Sequence, residues 1–148
     1  MKYNLGCGKN FLWNHVNLDY PELDLNKSFN FKIIENHNVV KLFHVLEHLD
    51  NPLFTMKELH NNFNDGDIIE VKLPTYSCDI LHKNWSFNKN YFNNICKDRE
   101  RGDQEEHLYD LLEVKYEYKI IRCLWHLLDW FKTMMSKEMY YKLKVYKK

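Results

Sequence analysis

The sequence predicts a single α/β domain, and three observations lead to this fold class. A length of 148 residues suits one domain, since single domains commonly hold ~100–200 residues. Short apolar segments separated by glycine-, proline- and asparagine-containing turns indicate strands in the first third of the chain. A helix-like segment then lies between two buried strands, and strands joined through a helix run parallel in one sheet.

Two short strands are predicted at the start of the chain, and a third follows. Residues 2–5 form the first strand, which runs directly into a Gly-Cys-Gly turn. Residues 16–19 form the second strand, which a Tyr-Pro pair ends. The segment VVKLF at residues 39–43 predicts a third, buried strand, because β-branched and apolar residues favour that environment.

A helix and a fourth strand come next. Pro52 suits the first turn of a helix, and Phe54, Leu59 and Phe63 could supply its inward stripe. The tetrapeptide NDGD at residues 64–67 is a strong turn sequence. Residues 68–73 then form a strand that ends before a proline, and this strand must run parallel to the third.

The second half of the chain is less regular. Residues 84–107 are polar and predict a loop with one helix near residues 91–95. Residues 109–121 and 140–146 alternate as strands do, with a helix between them. The apolar face of that helix consists of Leu124, Leu127, Leu128, Phe131, Met134 and Met135.

Composition predicts a soluble, cytoplasmic protein. The sequence is 45% hydrophobic and 28% charged, and it contains no run of about 18 apolar residues that would suggest a membrane helix. The first ten residues, MKYNLGCGKN, contain no apolar signal region. The four cysteines form no CxxC pair, so we expect reduced thiols and neither disulfides nor a zinc site.

The net charge of zero conceals an uneven distribution. Residues 1–110 carry 12 basic and 17 acidic side chains, whereas residues 111–148 carry 9 basic and 4 acidic side chains. Charge asymmetry of this kind marks a partner surface or arises by chance in short segments. The sequence leaves both explanations open.

The segment NLGCG at residues 4–8 is the most informative part of the sequence. It follows a strand, and Asp19 ends the next strand 11 residues after Gly8. In dinucleotide-binding folds, glycines after the first strand let the backbone approach the ligand, and an acid after the second strand binds ribose hydroxyls. A full GxGxxG motif is absent, and a cofactor without a phosphate would not need one. A tight turn would also account for GxG alone, so the strand before it and the strand-end Asp19 carry the interpretation.

A second cluster, HVLEHL at residues 44–49, allows more than one interpretation. His44, Glu47 and His48 match the inverted zinc-protease pattern HxxEH. That site requires both histidines on one face of a helix, whereas this segment begins at the end of a buried strand and soon meets a proline. We therefore expect no metal here. The histidines could also be ordinary polar residues at a strand end.

Taken in order, these motifs resemble small class I S-adenosylmethionine (SAM)-dependent methyltransferases. The matching features are NLGCGKN at residues 4–10, the strand-end Asp19, DLN at residues 24–26, HVLEHL at residues 44–49, an amphipathic helix, an NDG turn and a strand that ends at Pro74. The resemblance covers residues 2–77. It implies a minimal Rossmann-like fold over residues 1–148, with a mostly parallel sheet and a C-terminal antiparallel strand.

The resemblance also implies SAM as the cofactor and assigns residues to it. The backbone of residues 5–8 should line the methionine end, Asp19 should bind the ribose, and His44 should lie near the sulfonium. Tyr20, Asp24 and Leu25 should border the adenine. The implied cofactor residues are thus Leu5, Gly6, Cys7, Gly8, Asp19, Tyr20, Asp24, Leu25 and His44. Asn10 stands where the family often has a third glycine.

The methyl acceptor is less clearly indicated. His48, Tyr76 and Trp85 are the candidate acceptor-binding residues, and His48, Tyr76 and His82 are candidate bases, none of which can be assigned from sequence. In-line methyl transfer depends mainly on positioning, so a base is optional.

The C-terminal segment interleaves basic and aromatic residues, a pattern that suits single-stranded RNA or another polyanion. A terminal strand and helix with solvated lysines and core aromatics would give the same pattern. Trp125 projects away from the predicted apolar helix face and could also contact a second subunit of a homo-oligomer. Two alternatives remain: a small-molecule O- or N-methyltransferase, and a non-catalytic protein that binds SAM and RNA. The basic residues are Lys115, Lys119, Arg122, Lys132, Lys137, Lys142, Lys144, Lys147 and Lys148, and the aromatic residues are Tyr116, Tyr118, Trp125, Trp130, Tyr140, Tyr141 and Tyr146.

Overall fold

A six-stranded sheet forms the centre of the computed structural model, which describes residues 1–30, 37–74, 92, 96, 108–118 and 136–147. One α-helix and one 3₁₀ turn lie within these residues. The strands are β1 (Lys2–Leu5), β2 (Val16–Leu18), β3 (Val39–Phe43), β4 (Ile68–Pro74), β5 (Tyr109–Tyr118) and β6 (Ser136–Val145); the helix is α1 (Pro52–Asn62), and the 3₁₀ turn spans Leu46–His48.

The strand order across the sheet is β2-β1-β3-β4-β6-β5. The first four strands pair in parallel, whereas β6 is antiparallel to both β4 and β5. It follows that β5 runs in the same direction as the first four strands. The predicted α/β class is confirmed as a mixed six-stranded sheet, with low helix content in the part of the chain described.

Most predicted boundaries in the first half agree with the structure. The third strand is Val39–Phe43 and the helix begins at Pro52, as expected. Asn51 caps this helix, since its side chain accepts a hydrogen bond from the Phe54 amide at 3.1 Å. The second strand ends at Leu18, one residue before the predicted boundary.

The C-terminal strand differs from its prediction because pairing on both sides extends it. It was expected at residues 140–146 but spans Ser136–Val145. Glu138 pairs with Pro74 of β4, and Ser136 pairs with Tyr118 of β5. The helix predicted at residues 124–135 lies outside the described residues, as do the end of the strand predicted at 109–121 and, except for Phe92, the helix predicted near residues 91–95.

The two faces of the sheet differ in polarity. One face is apolar, and Met56 and Leu59 of α1 pack into the same core together with Phe63, which follows the helix; all three are fully buried. Phe54, predicted to lie in this stripe, is only partly buried, and Met56 takes its place. The other face carries Lys41, Phe43, Glu70, Lys72, Tyr140 and Lys142, all partly buried.

A buried polar network joins β3 and β4 at their amino ends. Asp67 is fully buried, and its carboxylate accepts hydrogen bonds from the backbone and side chain of Asn38 and from the Asn64 amide. Within the described ranges, no helix is long and apolar enough to cross a membrane.

Candidate functional site

The strand order reverses at β1, and this reversal defines a candidate site. From β1 the chain continues to β2 on one side, and β3 then pairs with β1 on the other side. In open α/β sheets, ligands bind in the crevice at such a switch point, outside the carboxyl ends of the strands. The first residue after the strand is Gly6 for β1, Asp19 for β2 and His44 for β3.

Gly6 brings the loop after β1 against the segment after β3. Its φ angle is 64°, and a Cβ built on it would lie 2.7 Å from Val45 Cγ1. Its amide donates to the Leu18 carbonyl at 2.8 Å. A side chain at residue 6 would therefore force this edge of the sheet apart, which explains why glycine is needed.

Gly8 connects the same loop to the end of β2. Its amide donates a hydrogen bond to Asp19 Oδ2 at 2.6 Å, and the Tyr20 amide donates to Oδ1 at 2.9 Å. Each carboxylate oxygen has a second lone pair. Asp19 therefore keeps one acceptor position on each oxygen, as a pair of vicinal hydroxyls requires. Among the described residues, a Cβ on Gly8 would meet Asp19 Oδ2 alone, at 3.9 Å, so these residues leave space beside the carboxylate.

Two asparagines that the sequence analysis did not assign hold the loop between β1 and β2. Asn17 accepts from the Leu12 amide at 2.9 Å and donates to the carbonyls of Leu12 and His15. The buried Asn4 donates to Asn17 Oδ1 at 2.8 Å and to the Asn10 carbonyl at 3.0 Å. A polar residue on a buried strand was the available indication of this role for Asn4.

Three predicted cofactor residues direct their side chains into the protein. Leu5 and Leu25 belong to the apolar core, and Cys7 is buried as well. Burial, with the nearby Asp19 carboxylate adding to it, raises the pKa of the Cys7 thiol. Any contact from these residues to a ligand would therefore come from the backbone. The Leu25 carbonyl already accepts a hydrogen bond from Thr55 Oγ1 at 2.8 Å.

The two predicted adenine-edge residues with polar side chains lie at the surface. Tyr20 is 75% exposed, next to the Asp19 carboxylate. Asp24 forms an ion pair with Lys27 at 3.0 Å, and this contact, aided by the Asn26 amide, lowers the pKa of the Asp24 carboxyl. Asp24 is therefore already paired, whereas Tyr20 presents its ring to solvent.

His44 leaves β3 with its imidazole between two carboxylates. Its φ angle is 58°, and its amide donates to the Lys72 carbonyl at 3.0 Å. Nδ1 lies 3.3 Å from Glu47 Oε1, and Nε2 lies 3.6 Å from Glu138 Oε1. Contact with Glu47 raises the pKa of His44; burial opposes this, Glu138 adds to it, and Lys72 opposes it.

Glu47 is buried, with a side chain only 1% exposed. Its contact with His44 lacks the alignment of a hydrogen bond, so among the described residues neither carboxylate oxygen has a hydrogen-bond partner. In the sequence Glu47 stands out only as a member of the HxxEH and HVLEHL motifs, because polar residues are ordinarily exposed and nothing in the sequence indicates its burial.

The HVLEHL segment has the predicted strand-to-loop form with one addition. His44 directly follows β3, and a single 3₁₀ turn, Leu46–His48, ends at the exposed His48. Across the ranges described, no group of three or more histidine, cysteine, aspartate or glutamate side chains could hold a metal ion. Tyr76, His82 and Trp85 lie outside these ranges.

The described part of the basic C-terminal segment is mixed in charge. Lys142 of β6 lies opposite Glu70 on one side and Glu113 on the other. Tyr141, predicted to be available for stacking, is fully buried in the core, because strand alternation turns it away from Tyr140. Burial and the nearby Glu70 raise the pKa of Tyr140 to about 12.

Comparison with known proteins does not assign the chain to a family. No protein-family model matches the chain, and no curated protein matches it either. Function is therefore inferred from the residues at the carboxyl ends of β1, β2 and β3.

Proposed function

We propose that the chain is a SAM-dependent methyltransferase that binds its cofactor across the carboxyl ends of β1, β2 and β3. The observation that carries this proposal is the hydrogen bond from Gly8 to Asp19, which joins a glycine loop to a strand-end carboxylate at the switch point. The order of the sheet and the antiparallel β6 support the minimal Rossmann-like methyltransferase fold that the sequence motifs imply.

The connection between β1 and β2 favours a nucleoside cofactor without phosphate. Phosphate-binding versions of this crevice direct a helix N-terminus at the pyrophosphate. Here residues 6–15, all of them described, contain turns and no helix. Asp19 offers acceptors for a ribose diol, and its negative charge would repel a phosphate. SAM has the diol and lacks the phosphate, so the residues present fit it.

The residues of this chain would bind and orient the two reactants. SAM supplies a methyl group on a positively charged sulfur, from which it can be displaced in line. Gly6 and Gly8 leave the backbone open to the methionine end, and Asp19 fixes the ribose. Holding donor and acceptor in line is worth ~7–11 kcal/mol in favourable cases.

The first experiment measures binding of SAM and of its demethylated product, S-adenosylhomocysteine, by calorimetry. Asp19→Ala should weaken both by roughly tenfold or more, because two hydroxyls lose a charged acceptor. Asp65→Ala is the matched control, since Asp65 lies in the exposed turn before β4. Unchanged affinity in a folded Asp19→Ala protein would remove the proposed site.

The second experiment separates an enzyme from a binding protein. A labelled-methyl assay over pools of RNA, DNA, protein and metabolites should transfer label to one pool. Transfer to RNA would support the nucleic-acid acceptor that the basic C-terminal segment suggests, and transfer to metabolites would support the small-molecule alternative. Tight SAM binding with no transfer to any pool would favour the non-catalytic alternative.

A further inference from the structure

We propose that His44 is the group that accepts the proton of the methyl acceptor, and that Glu47 is a positioning residue acting through it. This inference rests on the proposed methyltransferase function and adds a base to it. The sequence assigned His44 to the cofactor and left the base unassigned.

The backbone around His44 fixes its imidazole at the candidate site. The hydrogen bond from its amide to Lys72 holds the residue against β4, and the left-handed φ turns the chain sharply out of the strand. The next residue, Val45, packs against Gly6 of the glycine loop. The imidazole therefore lies at the edge of the sheet that carries the candidate cofactor site. Its side chain is 45% exposed, so an acceptor can reach it.

The charges around the ring favour a positive charge at this point. Glu47 of the 3₁₀ turn faces Nδ1, and Glu138 of β6 faces Nε2. Lys72 of β4 is the basic group among these neighbours, and its Nζ lies 3.9 Å from Glu138 Oε2. A buried carboxylate without hydrogen-bond partners is costly unless a cation compensates it. Glu47 thus needs the imidazolium that proton uptake by His44 creates.

The geometry gives each ring nitrogen a separate task. The negative charge of Glu47, 3.3 Å from Nδ1, favours the neutral tautomer that carries its hydrogen on Nδ1, and this tautomer leaves the Nε2 lone pair free to take a proton. Once protonated, Nε2 faces Glu138 Oε1, which stabilises the new charge. Glu47 therefore determines the tautomer of the neutral ring, and Glu138 stabilises the imidazolium that the proton transfer produces.

The proposed step conserves atoms and charge. A lone pair on the acceptor oxygen or nitrogen forms a bond to the methyl carbon as the carbon–sulfur bond breaks and its electron pair goes to sulfur. The acceptor proton passes to His44 Nε2. One positive charge leaves the sulfonium and one appears on the imidazole, so the total charge of the site is unchanged.

This charge exchange predicts a difference between the two forms of the cofactor that needs no methyl acceptor. SAM carries its positive charge on sulfur, whereas S-adenosylhomocysteine is a neutral thioether at the same atom. A nearby positive charge disfavours imidazolium. The pKa of His44 should therefore be lower with SAM bound than with S-adenosylhomocysteine bound.

The test is an NMR titration of the histidines in the free protein and in both complexes. The His44 resonance is assigned by its loss in His44→Asn, since asparagine tolerates a positive φ. In the free protein, Glu47→Gln should lower the pKa of His44, and Asp50→Asn, an exposed change nearby, should not. Equal His44 pKa values in the two complexes, or no effect of Glu47→Gln, would overturn the assignment of the base.

Failure of this inference can be told from failure of the proposed function. If neither ligand shifts the amide resonances of Gly6 and Gly8, the chain does not bind SAM there and both proposals fall. If both ligands shift these amide resonances and the pKa of His44 is the same in both complexes, the assignment of His44 as the base is wrong and the proposed SAM site remains. With an acceptor in hand, His44→Asn should lower kcat by roughly 10²–10⁴-fold and leave KM nearly unchanged.

Discussion

The amide of Gly8 donates to Asp19 Oδ2 at 2.6 Å, so the loop after β1 and the end of β2 form one unit. Residues 11 positions apart in the sequence are thereby held at one edge of the sheet. Gly6 extends this unit to the segment after β3 through its contact with Val45. The candidate site is thus defined by three strand ends that contact one another directly.

Gly6→Ala should destabilise the protein by about 2–5 kcal/mol. A left-handed φ costs a non-glycine residue about 1–2 kcal/mol, and crowding against Val45 adds about 1–3 kcal/mol. Gly8→Ala, at a φ of 51° and with no close contact to the added Cβ among the described residues, should show only the conformational cost. Urea unfolding measures both. In a double-mutant cycle, Val45→Ala should relieve the crowding part, and simple additivity would show that the contact is not the cause.

Asp67→Ala should cost about 2–5 kcal/mol of unfolding free energy. Three N–H groups, from Asn38 and Asn64, would lose their acceptor in a fully buried position. Asp65→Ala, two residues earlier, removes an exposed acceptor of the Lys147 amide and should cost under about 1 kcal/mol. Equal losses in the two variants would contradict the structural role given to the buried network.

The stability contributed by His44 should decrease as the pH rises. Its folded-state pKa is raised above the ordinary value of 6.5, so the contribution is complete below 6.5 and is lost as the pH passes through the folded-state pKa. Solvent reduces its size, because the side chain is 45% exposed. The stability difference between wild type and His44→Asn, measured by urea unfolding from pH 6 to pH 9, should shrink. A constant difference would exclude this titration.

The basic C-terminal segment should bind single-stranded RNA in a salt-dependent manner. Each neutralised phosphate adds ~0.7 to the slope of log affinity against log salt. Replacing Lys142, Lys144 and Lys147 by Gln should lower both affinity and slope while SAM binding remains. The charge-matched control replaces Lys2, Lys27 and Lys57 by Gln. Absence of RNA binding by the wild type at low salt would favour a small-molecule acceptor.

Local sequence patterns correctly predicted elements whose formation depends mainly on their own residues, such as β3 and α1. The β-branched start of β3 and the proline at the start of α1 fix these elements with little help from the rest of the chain. Tyr140 and Tyr141 show the limit of prediction from local sequence patterns. Alternation implies that they face opposite sides, but only pairing with β4 and β5 decides that Tyr141 is the buried one. The burial of Glu47 likewise depends on packing between distant segments.

The position of β6 has a consequence for the order in which the sheet assembles. Ile68 of β4 pairs with Lys144 of β6, a separation of 76 residues in the chain. Among the described strands β6 is the neighbour of β5, so β5 cannot join the sheet before β6 has docked. Contacts between distant residues slow folding, and β4 presents an unpaired apolar edge until they form. During synthesis, the parallel strands therefore wait until β6 has left the ribosome, and the edge of β4 is open to association with other chains in that interval.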